Sequence, residues 1–360
     1  MILLKKEGDS KNMGNYRSLS LANCDYKCFT KILNQRMMIV SPKLINAHQI
    51  AFIPGKYIVE NGLRCQLLME DAELIWSLTR QQGTTSTLDR DIGLLLDQEK
   101  AYYRVNLSYF RAVMNRYGFA VSIANCIHNL MANNQININI NRYLTDPVAK
   151  LRGFKQGDPI SCICYGLAFE PFLQSILQDQ DFRGYELQNQ VYATAPVIPT
   201  KILCYTDDAL VFVHDKQDLR LLKYYMDLFC RTSNARFNYS KVDAFSLSGR
   251  DNRGYWSRSL DDMKIYHLHY SFGPQPSHLP RFPAHTKFVS VLGKATTVST
   301  LLLSKCWYIL RVIPFTQKDI QQITSVAIQF LKKSIFPVIP RKTWTLPRSQ
   351  GGLGILGVNL

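Results

Sequence analysis

Three aspartates in this 360-residue chain have the setting to do chemistry together. Two are neighbours in Tyr205-Thr206-Asp207-Asp208, set between the apolar runs Ile202-Leu203-Cys204 and Ala209-Leu210-Val211-Phe212-Val213. Apolar, β-rich runs flanking a compact polar pair predict a β-hairpin with two carboxylates at its turn. Adjacent carboxylates repel, and burying either one uncompensated is costly. A divalent cation relieves both effects, so the pair is a candidate half of a metal site. The same tetrapeptide also reads as a solvated turn. The third acid, Asp97, ends the apolar run Leu94-Leu95-Leu96. An acid at the end of a buried strand is held by fixed backbone, which suits a metal ligand. Alone it reads equally as a helix cap or turn residue, and only Asp207 and Asp208 make it informative.

The elements that must position these acids are visible as patterns. Residues 23–40 have helical spacing, with Tyr26, Phe29, Ile32, Leu33 and Met37 on one face. Gln49 to Asn61 contains Phe52-Ile53-Pro54-Gly55-Lys56, a turn carrying one cation, and residues 60–80 are helix-like. Residues 106–133 read as one or two helices. Strict alternation in Gln135-Ile136-Asn137-Ile138-Asn139-Ile140 predicts one strand with one apolar face. Arg152 to Pro159 joins two glycines, two cations and a proline ahead of a long apolar run. Pro159 suits a helix's first turn, and Lys155 beside that helix start favours phosphate. Residues 216–237 form an amphipathic helix, and Phe237 to Lys241 leads into another strand. From 249 to 286 periodicity disappears, and it returns from Val289.

Composition narrows the partner. The net charge of +16 favours a polyanion, nucleic acid before anionic membrane. No apolar run approaches the roughly 18 residues needed to span a bilayer. Nine cysteines without a repeated C-x-x-C pair argue against zinc and predict reduced, mostly buried thiols of an intracellular protein.

Taken in order, these segments resemble the reverse transcriptase domain of LINE-type (non-LTR) retrotransposons over most of residues 3–356. Lys5 to Asp9 with Asn15 to Leu21, then Gln49 to Lys56, are similar to that family's fingers motifs. Asp97-Gln98-Glu99-Lys100-Ala101-Tyr102 is similar to its first catalytic motif, and Tyr205 to Asp208 to its second. Arg152 to Ser161 is similar to its Q-G-D-P-x-S motif, Phe237 to Lys241 to its later palm motif. Ser304 to Val312 and Gly351 to Gly354 look like the thumb and the segment after it.

The resemblance implies an α+β right-hand polymerase fold: an antiparallel palm sheet backed by helices, fingers and palm interleaved over 1–250, a diverged segment over 251–286, and a helical thumb with the start of a connecting region over 287–360. It implies an RNA-directed DNA polymerase that takes an RNA template, a DNA primer and deoxynucleoside triphosphates, with no membrane partner. Asp97, Asp207 and Asp208 would hold two Mg²⁺ ions, with Mn²⁺ as a substitute. Lys6 and Arg17 would meet triphosphate oxygens, and Lys241 would give a proton to the leaving group. Tyr102 would screen the sugar 2′ position, while Gln156 and Gly157 would lie against the nascent base pair. Such an enzyme would work in the nucleus, although no targeting signal is identified.

Three departures qualify the resemblance. Tyr103 stands where the family usually has a second Asp, which predicts local destabilisation or reduced activity. Residues 249–286 offer no recognisable primer grip. The likeness begins at the fingers, with neither an endonuclease before it nor a Cys/His knuckle after it, as in a truncated or decayed copy. Two alternatives therefore stand beside the polymerase: a non-catalytic nucleic-acid-binding remnant, and a maturase-like RNA-binding protein.

Overall fold

The near-continuous apolar runs around Asp97 and the Asp-Asp pair become the central strands of a sheet whose two faces meet two hydrophobic cores over most of their length, with Leu95 left exposed. The computed structural model describes residues 1–5, 9, 11–81, 90–132, 134–140, 142–187, 198–265, 268–269 and 321. In chain order the elements are β1 (Ile2–Lys5), β2 (Tyr16–Leu19), α1 (Cys24–Leu44), α2 (Ile58–Gln81), β3 (Ile92–Leu96), α3 (Ala101–Arg104), α4 (Leu107–Arg116), α5 (Val121–Met131), β4 (Asn134–Ile136), β5 (Asn139–Ile140), β6 (Tyr143–Leu144), β7 (Val148–Lys150), α6 (Ser161–Gln178), β8 (Ile202–Tyr205), β9 (Asp208–Val213), α7 (Lys216–Ser233), β10 (Asp243–Ser246), α8 (Arg253–Asp261) and β11 (Leu268–His269).

The main sheet has the order β11-β10-β3-β9-β8. It is antiparallel except at one edge, where β11 joins β10 in parallel. Ile92, Leu94, Leu96, Ala209, Val211 and Val213 belong to the larger core, together with Phe110 of α4, Tyr165, Phe169 and Phe172 of α6, and Leu222 and Met226 of α7. Leu203, Phe212 and Phe245 form a second core with Leu68 and Ala72 of α2. Neighbouring residues of one strand thus enter different cores, as the two-residue period of a strand demands. The fold is α+β, as expected.

A second sheet, β2-β1-β5-β6, and the hairpin β4-β7 lie outside this core. Here one expectation is corrected. The alternating run 135–140 is two strands in two sheets: Asn134–Ile136 pairs with β7, while Asn139–Ile140 joins β1 and β6. Thr145 splits them, because its Oγ1 accepts from Ile138 N and its carbonyl accepts from Asn137 Nδ2. The expected apolar face of α1 is also largely exposed at Phe29 and Ile32; Met37 is the residue of that set that is buried. Gly118, at φ +79, breaks 107–131 into two helices. Among the eight described cysteines only Cys164 and Cys204 are buried, fewer than expected.

Loss of periodicity after 249 hides a helix. In α8, Trp256 is fully buried and its Nε1 donates to Arg90 O at 2.7 Å. The chain divides into two compact units, Met1–Ser271 and Phe272–Leu360. The expected thumb lies outside the described residues.

Candidate active site

The register of the sheet brings the three aspartates to one end. Leu96 faces Ala209 across β3 and β9, so Asp97 and Asp208, one step further along each antiparallel strand, stand opposite one another. Tyr205 pairs with Asp208, leaving a two-residue turn of Thr206 and Asp207. Residues 97 and 207 are therefore neighbours in space although 110 positions apart in sequence.

Two buried glutamines hold that turn. Thr206 lies at φ +58, an uncommon conformation for a β-branched residue that must be stabilised from outside. Gln49, 1% exposed, supplies the support: its Oε1 accepts from Thr206 N at 3.0 Å and its Nε2 donates to Thr206 O at 3.0 Å. The segment around Gln49 lies alongside β8, with Cys204 N donating to His48 O and Ile50 N to Cys204 O. From the other side, Gln98 Nε2 donates to Asp207 O at 3.2 Å. The Asp97 carbonyl is occupied by Asn238 N at 2.8 Å. The alternation rules cannot single out Gln49 or Gln98. A buried amide is the only signal, and burial is a tertiary property.

The carboxylates perturb one another. Burial is the first cause that raises the Asp207 pKa, and the Asp97 charge adds to it, while Arg17 acts in the opposite sense. Asp208 is pushed up to about 6, by desolvation first and then by Asp207 and Asp97. Among the described residues no three His, Cys, Asp or Glu side chains are grouped closely enough to hold a metal ion as they stand. The donor set nevertheless fits a hard divalent cation: all-oxygen, triply acidic and under mutual repulsion that such an ion would offset.

The remaining candidates separate into groups. Arg17 is exposed on β2, and its charge is felt at Asp207. Tyr102 is half-buried and stacks on Tyr165, with centroids 4.6 Å apart. Its pKa is raised by burial and, among other causes, by the Asp207 charge. Gln156 and Gly157 lie in the loop ahead of α6. A side chain at Gly157, φ +98, would press on Leu19 and the Ser20 carbonyl, so packing against β2 already accounts for this glycine. Lys241 is exposed at the end of a short 3-10 turn, one residue before Val242 leads into β10. Lys6 lies outside the described residues.

Lys155, expected to favour phosphate, is turned onto groups of the fold itself. It is 8% exposed, with its Nζ 3.1 Å from Asn134 Oδ1 and 4.1 Å from the centre of the Tyr26 ring. Burial lowers its pKa, with Asp158 opposing. Pro159 likewise sits two residues ahead of the first helical residue, Ser161. Lys56, expected as a loop cation, is tied to the Asn46 and Gln49 carbonyls.

Residues 4–293 match the reverse transcriptase (RNA-dependent DNA polymerase) family. This chain belongs to that family. It is 27% identical over 383 aligned positions to the transposon TX1 uncharacterized 149 kDa protein of Xenopus laevis, an alignment covering 98% of this chain and 27% of that protein. The chain thus spans about a quarter of the length of this curated relative. Solved structures of telomerase from Candida tropicalis and Candida albicans, each with a fragment of telomeric RNA, are similar at 12% and 9% identity. Their TM-scores are 0.43 and 0.37; each covers 61% of this chain and 34% of the telomerase chain. No helix among the described residues is long and apolar enough to cross a membrane.

Proposed function

We propose that this reverse transcriptase domain carries out RNA-directed DNA polymerisation by nucleotidyl transfer at Asp97, Asp207 and Asp208. The observation that supports the reading best is the register that sets Asp97 opposite Asp208, with both nearby acids perturbed by the Asp97 charge. In this reading the three carboxylates hold Mg²⁺, which supplies Lewis-acid stabilisation of the charge that develops on the phosphate. The chain's own residues do the rest. Gln49 and Gln98 fix the hairpin so that Asp207 and Asp208 are preorganised. Arg17 and Lys6 attract the triphosphate, Lys241 supplies a proton to the departing pyrophosphate, and Tyr102 presents a ring edge that excludes a ribose 2′-hydroxyl. Gln156 and Gly157 border the incoming nucleotide. The basic excess holds an RNA–DNA duplex by its phosphates, so binding weakens steeply with salt.

The test is incorporation of dTTP on poly(rA)/oligo(dT) with Mg²⁺. Wild-type incorporation that is lost in Asp207→Ala supports the assignment; incorporation that survives refutes the site. A wild-type protein that binds duplex and never incorporates points instead to the non-catalytic remnant. One ground for that alternative, a misfit at Tyr103, is weakened because its hydroxyl has partners in the fold.

A further inference from the structure

Tyr103 was expected to be a defect, and the structure gives it a task. The loop 152–158 is packed between two elements. On one side Gly153 N donates to Val105 O at 2.8 Å and Phe154 N to Tyr102 O at 2.6 Å. A Cβ on Gly153 would overlap the Tyr103 backbone, so glycine is required for this approach. On the other side Ser20 N, just past β2, donates to Gln156 O at 2.9 Å. The Tyr103 side chain crosses from the first side to the second. Its hydroxyl meets Ser18 O of β2 and, at 2.8 Å, the side-chain amide of Gln156.

The proton count fixes how these groups are arranged. A phenol has one proton, and the Ser18 carbonyl can only accept. Gln156 Oε1, the amide atom 2.8 Å away, is likewise an acceptor, so the single phenolic proton is placed between the strand carbonyl and the loop amide. Burial keeps the Tyr103 hydroxyl protonated by raising its pKa, against smaller opposing effects from Ser18 and Arg17.

We propose that Tyr103 is a positioning residue for Gln156, fastening the loop 152–158 to strand β2 so that Gln156 and Arg17 are held in one rigid unit beside the acidic hairpin. The inference rests on the polymerase reading for what the unit contacts, a deoxynucleoside triphosphate. The tie between loop and strand stands without it. An aspartate at 103 would not do the same work. It is shorter, and its carboxylate would set an acceptor against the Ser18 carbonyl, another acceptor.

The experiment compares the wild type with Tyr103→Phe, Tyr103→Asp, Gln156→Ala and the double variant Tyr103→Phe/Gln156→Ala. Backbone hydrogen exchange on the protein alone is read first, because it does not require activity. Tyr103→Phe is expected to speed exchange in segments 16–20 and 152–158 by about 5–10-fold, the effect of losing one hydrogen bond, and to leave β3 and β9 unchanged. Unchanged exchange in both segments overturns the proposal, even if the chain never incorporates a nucleotide. In the incorporation assay, Tyr103→Phe is expected to raise the KM for dTTP about 5–10-fold with kcat within about twofold, and the double variant to be no worse than Gln156→Ala. Multiplying effects in the double variant, or an Asp variant that outperforms the wild type, also overturns it.

Discussion

Strands β3 and β9 carry acids at both ends, and the two ends treat them in opposite ways. At one end Ile92 faces Val213, so Asp91 and His214 stand opposite, with Nδ1 and Oδ1 2.7 Å apart. Close by, Asp218 is fully buried and accepts from the backbone N–H of Arg183, Gly184 and His214 at 2.8–3.0 Å. Asp215 caps α7. Every one of these carboxylates has a donor supplied by the fold. At the other end Asp97 stands opposite Asp208, and the neighbouring acid charges push up the pKa values of Asp207 and Asp208. The same side-chain type is tied to several donors at one end, while at the other the acids raise the proton affinity of Asp207 and Asp208 even though Asp207 also accepts from Thr206 and from its own backbone. A protein retains such repulsion where a ligand removes it.

The contrast is broken most directly by exchanging removal at the two ends. Asp207→Ala is expected to reduce incorporation at least about 1,000-fold with the fold intact by circular dichroism. Asp218→Ala should do the reverse, costing roughly 3–5 kcal/mol in urea unfolding because three buried donors lose their acceptor. If Asp218→Ala unfolds no more easily than Asp207→Ala, the distinction between the ends is wrong.

A smaller effect concerns the support of the acidic turn. Gln49→Leu should cost about 2 kcal/mol, since Thr206 loses partners for both its N–H and its carbonyl, and incorporation should fall with it. Stability loss with full activity would separate the glutamine from the site.

His214 sharpens the comparison through pH. Its pKa is raised, first by the hydrogen bond to Asp91. A raised histidine contributes stability that is complete below its unfolded value and fades as pH climbs through the folded value. His214→Gln should therefore lose about 1 kcal/mol at pH 6 and less at pH 8.5, read from urea midpoints.

Asp208 supplies the gentlest test, with the opposite consequence of charge. Its folded pKa of about 6 lies above the unfolded aspartate value, so ionisation lowers stability as pH rises through about 6. In EDTA, Asp208→Asn should melt above the wild type at pH 8 and lose that advantage toward pH 4. Added Mg²⁺ should raise the wild-type melting point and narrow the gap. Equal melting at pH 8 in EDTA would show that the acids do not strain one another.

Much of the main sheet was legible in sequence because its central strands are apolar runs, as in Leu94 to Leu96 and Ala209 to Val213, although Leu95 is left 44% exposed. The hairpin needed nothing more than Tyr205 to Asp208 between such runs, and α7 announced itself by its period. The outer sheet was less legible. Gln135 to Ile140 alternates perfectly and still divides between two sheets, because one threonine at 145 captures the backbone between them. Lys155 reads as a phosphate-facing cation and Lys56 as the cation of a turn, when each is folded back onto the protein's own acceptors. A charge on a string of letters carries no direction.

What the sequence determined by itself was the family, the acidic motifs and the order in which they occur, since these depend on residue types at short range. It could not decide which acids would be neutralised. Asp97 and Asp218 look alike in the chain, each beside an apolar stretch. Only pairing across β3 and β9 sets the first against other carboxylates, and only the close approach of residues 183–184 surrounds the second with backbone donors. The reason is physical: a carboxylate's behaviour is set by charges and dipoles within a few ångströms, and those come from parts of the chain that are distant in sequence.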